Sequence, residues 1–224
     1  MKKFNTTAVC IPSKHYMVDL SERVVEIKKK VDAGEYFTIN RARQYGKTTT
    51  LNALKQVLLD SYEVISLDFQ GIGAAGFRTE QTFVKAFCRQ MKKKTSNFMM
   101  VPEEIKERFE EFLTRKDDET ALDELATTFS DWCSVSVKPV VLMIDEVDSA
   151  ANNQVFLDFL AQLRGNYIRR ETVPTFHSVI LAGVTDIKNL KRKIRPDEAH
   201  KHNSPWNIAA DFVVDMSFHP DDIV

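Results

Sequence analysis

Short apolar runs alternate along this chain with stretches of helical periodicity. Runs at 36–39, 64–69, 140–144 and 179–182 are rich in the residues of buried strands, and 212–214 makes a fifth. Between these runs, apolar residues recur at the three- and four-residue spacing of helices that cover a sheet. This order of elements predicts an α/β fold with a mainly parallel sheet of five strands.

The most apolar run and a helical pair refine this picture. Residues 140–144 are apolar at every position, which predicts a central strand covered on both faces. Pro102 stands at a helix start, and two helices are predicted over 103–133 as an insertion into the sheet pattern. We expect one domain over 1–224, in which 1–34 forms an N-terminal segment.

Composition bounds the class of protein. Apolar residues make up 43% and charged residues 28%, with a net charge of -1, which gives no general argument for nucleic acid or an acidic membrane surface. No apolar run approaches the ~20 residues that cross a bilayer, and polar residues 13–15 interrupt any signal-peptide core. The cysteines have no metal-ligand or redox spacing: Cys10, Cys88 and Cys133. We expect a cytoplasmic protein with reduced thiols and no membrane partner.

A phosphate loop is predicted between the first strand and the following helix. Gly46-Lys47-Thr48 matches the end of a P-loop, where backbone N–H groups at a helix N-terminus surround phosphates. Gly46 permits close approach of the backbone, Lys47 supplies a cation to the outer phosphates, and Thr48 offers a hydroxyl to Mg²⁺. The predicted nucleotide-binding residues are Arg43, Gln44, Tyr45, Gly46, Lys47, Thr48 and Thr49.

One position departs from the usual motif. Arg41 stands where the first glycine is expected, and glycine is favoured where such a loop begins its tight turn. The alternative is a helix start that contains Gly-Lys-Thr by coincidence. The placement of the motif between a strand and a helix favours the phosphate loop.

Two carboxylates end the central strand. Asp145 and Glu146 follow five apolar residues, and such a strand end is costly unless the carboxylates meet a charged partner. The carboxyl edge of an open α/β sheet is where ligands bind. We expect Asp145 to hold Mg²⁺ with Thr48, and Glu146 to act as general base toward water. The alternative is a strand that leaves the core with ordinary acidic residues, but two motifs in the correct order favour a nucleotide site.

With these residues the chain resembles the bacterial AAA-like P-loop ATPases. These are related to signalling ATPases with numerous domains and to ATPase domains that often precede a nuclease-like domain. The resemblance rests on 15–19, 36–50, 145–148 and 182–185, and covers about 15–218. Family members are similar in an Arg-Gln-aromatic-Gly-Lys-[Ser/Thr] loop that lacks the first glycine. The resemblance implies a P-loop NTPase fold of three layers, α/β/α.

The resemblance also implies roles for residues outside the two motifs. A sensor strand would lie between the phosphate-loop strand and the acidic strand, and Thr185 at its end would contact the γ-phosphate or the attacking water. Tyr16, in the segment 1–34, would line the adenine pocket. A strand-capping threonine and a simply packed N-terminal strand are the alternatives. A helical lid would follow the core, but only Ile223 and Val224 follow Asp222. We therefore expect a lid that is missing or truncated.

These expectations combine into a functional prediction. The chain is predicted to bind ATP and Mg²⁺ and to couple ATP hydrolysis to a conformational change. The alternative is a slow nucleotide-dependent switch or binding module with little turnover. The partner acted on is an unknown protein or nucleic acid, and a homo-oligomer is also considered. Related ATPases keep an arginine that reaches a neighbour's nucleotide, although here a solvated helix end is the simpler interpretation of Arg164, Arg169 and Arg170.

Overall fold

The computed structural model describes residues 3, 13–16, 18–94, 101–115, 121–184 and 206–217. Its α-helices are α1 Ser21–Asp32, α2 Lys47–Leu58, α3 Glu80–Lys93, α4 Glu103–Thr114, α5 Leu122–Val135 and α6 Gln154–Ile168. Its strands are β1 Tyr36–Asn40, β2 Glu63–Asp68, β3 Val140–Asp145 and β4 Ser178–Gly183. Within these ranges no helix has the length and apolar character needed to cross a membrane.

The four strands form one parallel sheet in the order β1-β4-β3-β2. As the resemblance implied, β4 lies between the strand that leads into the phosphate loop and the strand that ends in Asp145. Because all the strands run in one direction, their carboxyl ends share one edge of the sheet. The register aligns Asp68 with Asp145, so two carboxylates lie at that edge on neighbouring strands.

Helices cover both faces of the sheet, which confirms the three-layer α/β/α fold. Alternate strand residues point to opposite faces, so neighbours such as Val64 and Ile65 belong to different core clusters. Helices α1 and α2 contribute apolar residues to one cluster, and α3 to α6 contribute to the other. Every residue of β3 and β4 is buried, as predicted for a central strand that lacks alternation.

The helices predicted over 103–133 are present as α4 and α5. Pro102 precedes the first residue of α4, and its carbonyl accepts hydrogen bonds from the backbone N–H groups of Ile105 and Lys106. The buried face of this helix packs toward α5, with the ring of Phe109 edge-on to Trp132 at 6.3 Å between centroids. That this pair is an insertion into the fold remains a prediction.

The prediction of a fifth strand at 212–214 is wrong: the described residues of the sheet form four strands. Residues 212–214 form no strand. Among the described residues 206–217, one parallel bridge joins Ala210 to Phe37 of β1. The side chains of this segment do alternate as in a strand, since Phe212, Val214 and Met216 pack toward the core. The carbonyl of Val214, however, accepts a hydrogen bond from the side chain of Arg41, and those of Asp215 and Ser217 accept from Arg23. The expected truncation of a lid concerns 218–224, which lie outside the described residues.

Candidate functional site

The phosphate loop connects β1 to α2 at the carboxyl edge of the sheet. The backbone N–H of Arg41 donates to the carbonyl of Gly183 at 3.1 Å, which fixes the start of the loop to the end of β4. Gly46 adopts a left-handed conformation, with φ 70° and ψ 19°, directly before α2 begins. Gln44 is also left-handed, with φ 67°. These two turns bend the loop back over the N-terminus of α2, where free N–H groups favour an anion.

The backbone conformation of Arg41 explains why the phosphate loop lacks its usual first glycine. Among described residues other than glycine, positive φ angles occur at Gln44 and Glu146. Arg41 therefore has a conformation that any residue adopts, and its side chain leaves the loop toward the carbonyl of Val214. The loop consequently does not require glycine at this position.

Lys47 lies inside the loop with only 7% of its surface exposed. Its ammonium donates to the carbonyls of Arg41 at 2.8 Å and Ala42 at 3.0 Å. A buried cation needs hydrogen-bonding partners, and these neutral carbonyls supply them without cancelling its charge. The loop therefore presents a cation that a phosphate group can neutralise.

Thr48 and Asp145 join the two motifs directly. The hydroxyl of Thr48 donates to the carboxylate of Asp145 at 2.6 Å, across 97 residues of sequence. Asp145 is buried, and it ends the strand that pairs with β4. Within the described ranges no three histidine, cysteine or acidic side chains converge on a metal position. One carboxylate and one hydroxyl nevertheless suit Mg²⁺, which usually takes few protein ligands and keeps water and phosphate oxygens.

Glu146 follows Asp145 in a left-handed conformation, with φ 54° and ψ 41°. Its backbone N–H donates to the carboxylate of Asp145 at 2.9 Å, which turns the chain sharply after the strand. Burial raises the pKa of Glu146, and the negative charge of Asp145 raises it further, while the cation of Lys47 acts in the opposite direction. A raised carboxyl pKa brings this residue closer to the range of an effective general base.

Asp148 connects the turn that follows β3, residues 145–148 and called here the acidic turn, to the end of β4. Its carboxylate accepts a hydrogen bond from the backbone N–H of Val184 at 2.6 Å. A Cβ added to Gly183 would lie 2.8 Å from this carboxylate and 2.9 Å from the side chain of Val147. The backbone at Gly183 can therefore lie this close to Asp148 and Val147 because glycine has no side chain. Thr185, the predicted sensor, follows directly but lies outside the described residues.

Sequence reasoning gave no role to three charged residues near this edge. Asp148, Asp68 and Lys94 were missed as individual site residues. Burial lowers the pKa of Lys94, while attraction to Asp68 and Asp145 opposes that change. A strand that ends in a carboxylate was the available signal for Asp68, since the same signal identified Asp145. The positions of Lys94 and Asp148 near the site depend on how α3 and the acidic turn fold back toward the sheet, and hydrophobic periodicity does not predict this.

The other predicted nucleotide residues differ in their exposure. Arg43, Gln44 and Thr48 are exposed, Tyr45 is 41% exposed, and Thr49 is half-buried in α2. Tyr16 is 40% exposed, and its backbone N–H donates to the carbonyl of Lys3. The structure thus brings Lys47, Thr48, Asp145 and Glu146 together. The adenine role of Tyr16 remains a prediction.

The family is established by a comparison along most of the chain. A model of the AAA-like domain matches residues 5–209. The chain belongs to this AAA-like P-loop ATPase family. No curated protein matches the sequence significantly. The family and the fold are those of nucleotide-binding ATPases.

A solved ATPase structure shares the fold of this AAA-like protein. The Walker-type ATPase PABY2304 of Pyrococcus abyssi is similar with a TM-score of 0.63 and 16% identity, over 97% of this chain and 58% of that one. This chain therefore spans little more than half of that ATPase. The ORC1 protein of Aeropyrum pernix in complex with DNA is 12% identical, over 80% of this chain and 44% of that one, with a TM-score of 0.46. That likeness is too low to support an argument about this protein.

Proposed function

We propose that this protein binds Mg-ATP at the phosphate loop and hydrolyses it at the acidic end of β3. The observation that carries this proposal is the 2.6 Å hydrogen bond between Thr48 and Asp145. It joins the hydroxyl that follows the loop lysine to the carboxylate of the acidic strand. A coincidental Gly-Lys-Thr triplet and an ordinary strand end would have no reason to meet in this way.

Lys47 is proposed to bind the outer phosphates. Its ammonium now donates to two loop carbonyls at 2.8 and 3.0 Å. When a triphosphate enters the loop, exchanging these neutral acceptors for charged oxygens forms stronger, charge-assisted hydrogen bonds. Thr48 and Asp145 would hold Mg²⁺ beside these phosphates. Bound there, the ion would supply positive charge that neutralises the transferring phosphoryl group.

Glu146 is proposed as the general base for the attacking water. Its raised pKa and its position next to Asp145 suit a carboxylate that accepts a proton during the reaction. Thr185 is proposed to contact the γ-phosphate or the water from the end of the neighbouring strand. Arg43, Gln44, Tyr45, Gly46 and Thr49 would complete the phosphate cradle, and Tyr16 would contact the adenine.

Hydrolysis is proposed to drive a conformational change that a protein or nucleic-acid partner detects. A slow switch with little turnover would use the same binding residues. The two functions differ in the rate of phosphate release, which therefore separates them.

The test compares ATP binding with ATP turnover in three proteins. We expect the wild type to bind Mg-ATP and release phosphate, and Lys47→Ala to remain folded but lose nucleotide binding. Glu146→Gln should retain binding and hydrolyse ATP about 10²–10⁴-fold more slowly, as expected for loss of a general base. Calorimetry measures the affinities, and a phosphate-release assay measures turnover, with and without nucleic acid. Unchanged ATP affinity in folded Lys47→Ala would refute the site, and tight binding without turnover by the wild type would favour the switch.

A further inference from the structure

Arg41 makes contacts in two directions at the start of the phosphate loop. Its backbone carbonyl accepts a hydrogen bond from Lys47 at 2.8 Å. Its guanidinium donates to the carbonyl of Val214 at 3.2 Å and to the carbonyl of Asn40 at 2.8 Å. The same group lies 5.7 Å from the ring centroid of Phe212. One residue therefore contacts both the loop lysine and a segment more than 170 positions away in the sequence.

The segment that Arg41 contacts is itself packed along β1. We refer to residues 206–217 as the C-terminal strap. Trp206 stacks on Tyr36 with 5.9 Å between ring centroids, and Phe212 stacks on Phe37 at the same distance with nearly parallel rings. The backbone N–H of Ala210 donates to the carbonyl of Tyr36 at 2.8 Å. The strap is thus fixed to the strand that leads into the phosphate loop.

We propose that Arg41 is a positioning residue that ties the phosphate loop to the C-terminal strap and thereby sets the affinity for nucleotide. This proposal rests on the nucleotide site proposed above. A loop held in its binding geometry loses less conformational entropy when the ligand arrives. The backbone bond from Arg41 to Gly183 and the guanidinium bond to the strap both hold the first residue of the loop. Release of the guanidinium removes the second of these and so restrains less the carbonyl that orients Lys47.

The position of Phe212 allows the tie to be tested without changing the loop. Phe212→Leu removes the ring beneath the guanidinium and leaves an apolar side chain on Phe37. Val213→Ala is the matched control, because the side chain of Val213 is next to Phe212 in sequence and is 83% exposed. We expect Phe212→Leu to weaken ATP binding by about 2- to 5-fold, the effect of losing one cation–π contact that is not fully desolvated. Val213→Ala should bind ATP as the wild type does.

A double-mutant cycle tests whether Arg41 and Phe212 affect ATP affinity through one shared contact or independently. Arg41→Ala should also weaken ATP binding, and by more, because it removes the bond to Val214 as well as the contact with Phe212. The double variant Arg41→Ala/Phe212→Leu should be little weaker than Arg41→Ala alone, because the ring of Phe212 acts through the guanidinium. Additive effects on the dissociation constant would overturn the proposal. So would ATP affinity in Phe212→Leu equal to that of the wild type.

Hydrogen exchange provides a readout that does not depend on nucleotide. We expect the amides of the loop, 41–46, to exchange faster in Phe212→Leu than in the wild type or in Val213→Ala, with no ATP present. Unchanged exchange would overturn the tie even if ATP binds. If the wild type binds no ATP while loop exchange still responds to Phe212→Leu, the proposed function fails and with it the effect on affinity, but the contact between strap and loop is retained.

Discussion

Gly183 ends β4 where the backbone passes close to the acidic turn after β3. A methyl group there would lie 2.8 Å from the carboxylate of Asp148 and 2.9 Å from the side chain of Val147. Neither neighbour yields easily, since Val147 is fully buried and Asp148 is bonded to the N–H of Val184. We expect Gly183→Ala to reduce the free energy of unfolding by about 1–3 kcal/mol, the usual cost of overpacking.

Gly73 supplies the control at the same scale. An added Cβ there would meet nothing within 4 Å, and its φ of -70° suits any residue. Gly73→Ala should therefore leave the free energy of unfolding unchanged or raise it by about 0.4–1 kcal/mol, because alanine restricts the unfolded chain. Urea denaturation of both variants measures the difference. Equal stability of the two would show that the acidic turn relaxes away from Gly183.

At the scale of elements, arginine side chains bind the backbone of the C-terminal strap, which does not pair as a strand. The side chain of Arg23 in α1 donates to the carbonyls of Asp215 at 3.2 Å and Ser217 at 2.9 Å, and Arg41 donates to Val214. These charge-assisted bonds hold the strap by its carbonyls, where a fifth strand would be held by backbone bonds to β1. We expect Arg23→Ala to lower the free energy of unfolding by about 2 kcal/mol or more, since bonds to charged donors contribute most.

Val25→Ala on the same helix is the matched control for Arg23→Ala. The side chain of Val25 is half exposed, so its truncation should change the free energy of unfolding by no more than about 0.5 kcal/mol. Urea denaturation measures both variants, and exchange of the amides of 212–217 reports whether the strap has been released. If Arg23→Ala were as stable as Val25→Ala, water would be replacing the arginine at little cost.

The strap also shows what could be predicted from sequence. The apolar run at 212–214 predicted a strand, and burial does alternate there, with Val213 exposed and Phe212 and Val214 packed toward the core. Alternation does not reveal where the carbonyls bond, because the two arginines that bind them are distant in sequence. The same limit applies to the site. Lys47, Thr48, Asp145 and Glu146 followed from local motifs, whereas Asp148 and Arg41 gain their contacts only after folding.

For the whole molecule, the proposed site connects a helix of one outer layer to the central sheet, so its occupation should stabilise the entire fold. Lys47 begins α2, and Asp145 ends the central strand β3, with Thr48 bonded between them. A ligand that binds only the folded state at 100 times its dissociation constant adds about 2.7 kcal/mol of stability. In a domain of this size, that corresponds to a rise in Tm of about 5–10 °C.

We therefore expect Mg-ATP to raise the Tm of the wild type by this amount, and the shift to be reversed by dilution of the nucleotide. Removing Mg²⁺ with EDTA should reduce the shift, because Thr48 and Asp145 would then lose the ion that joins them to the phosphates. Lys47→Ala should show no shift at the same ATP concentration. Differential scanning calorimetry measures all three. An equal shift in the wild type and in Lys47→Ala would mean that ATP stabilises the protein somewhere other than the phosphate loop.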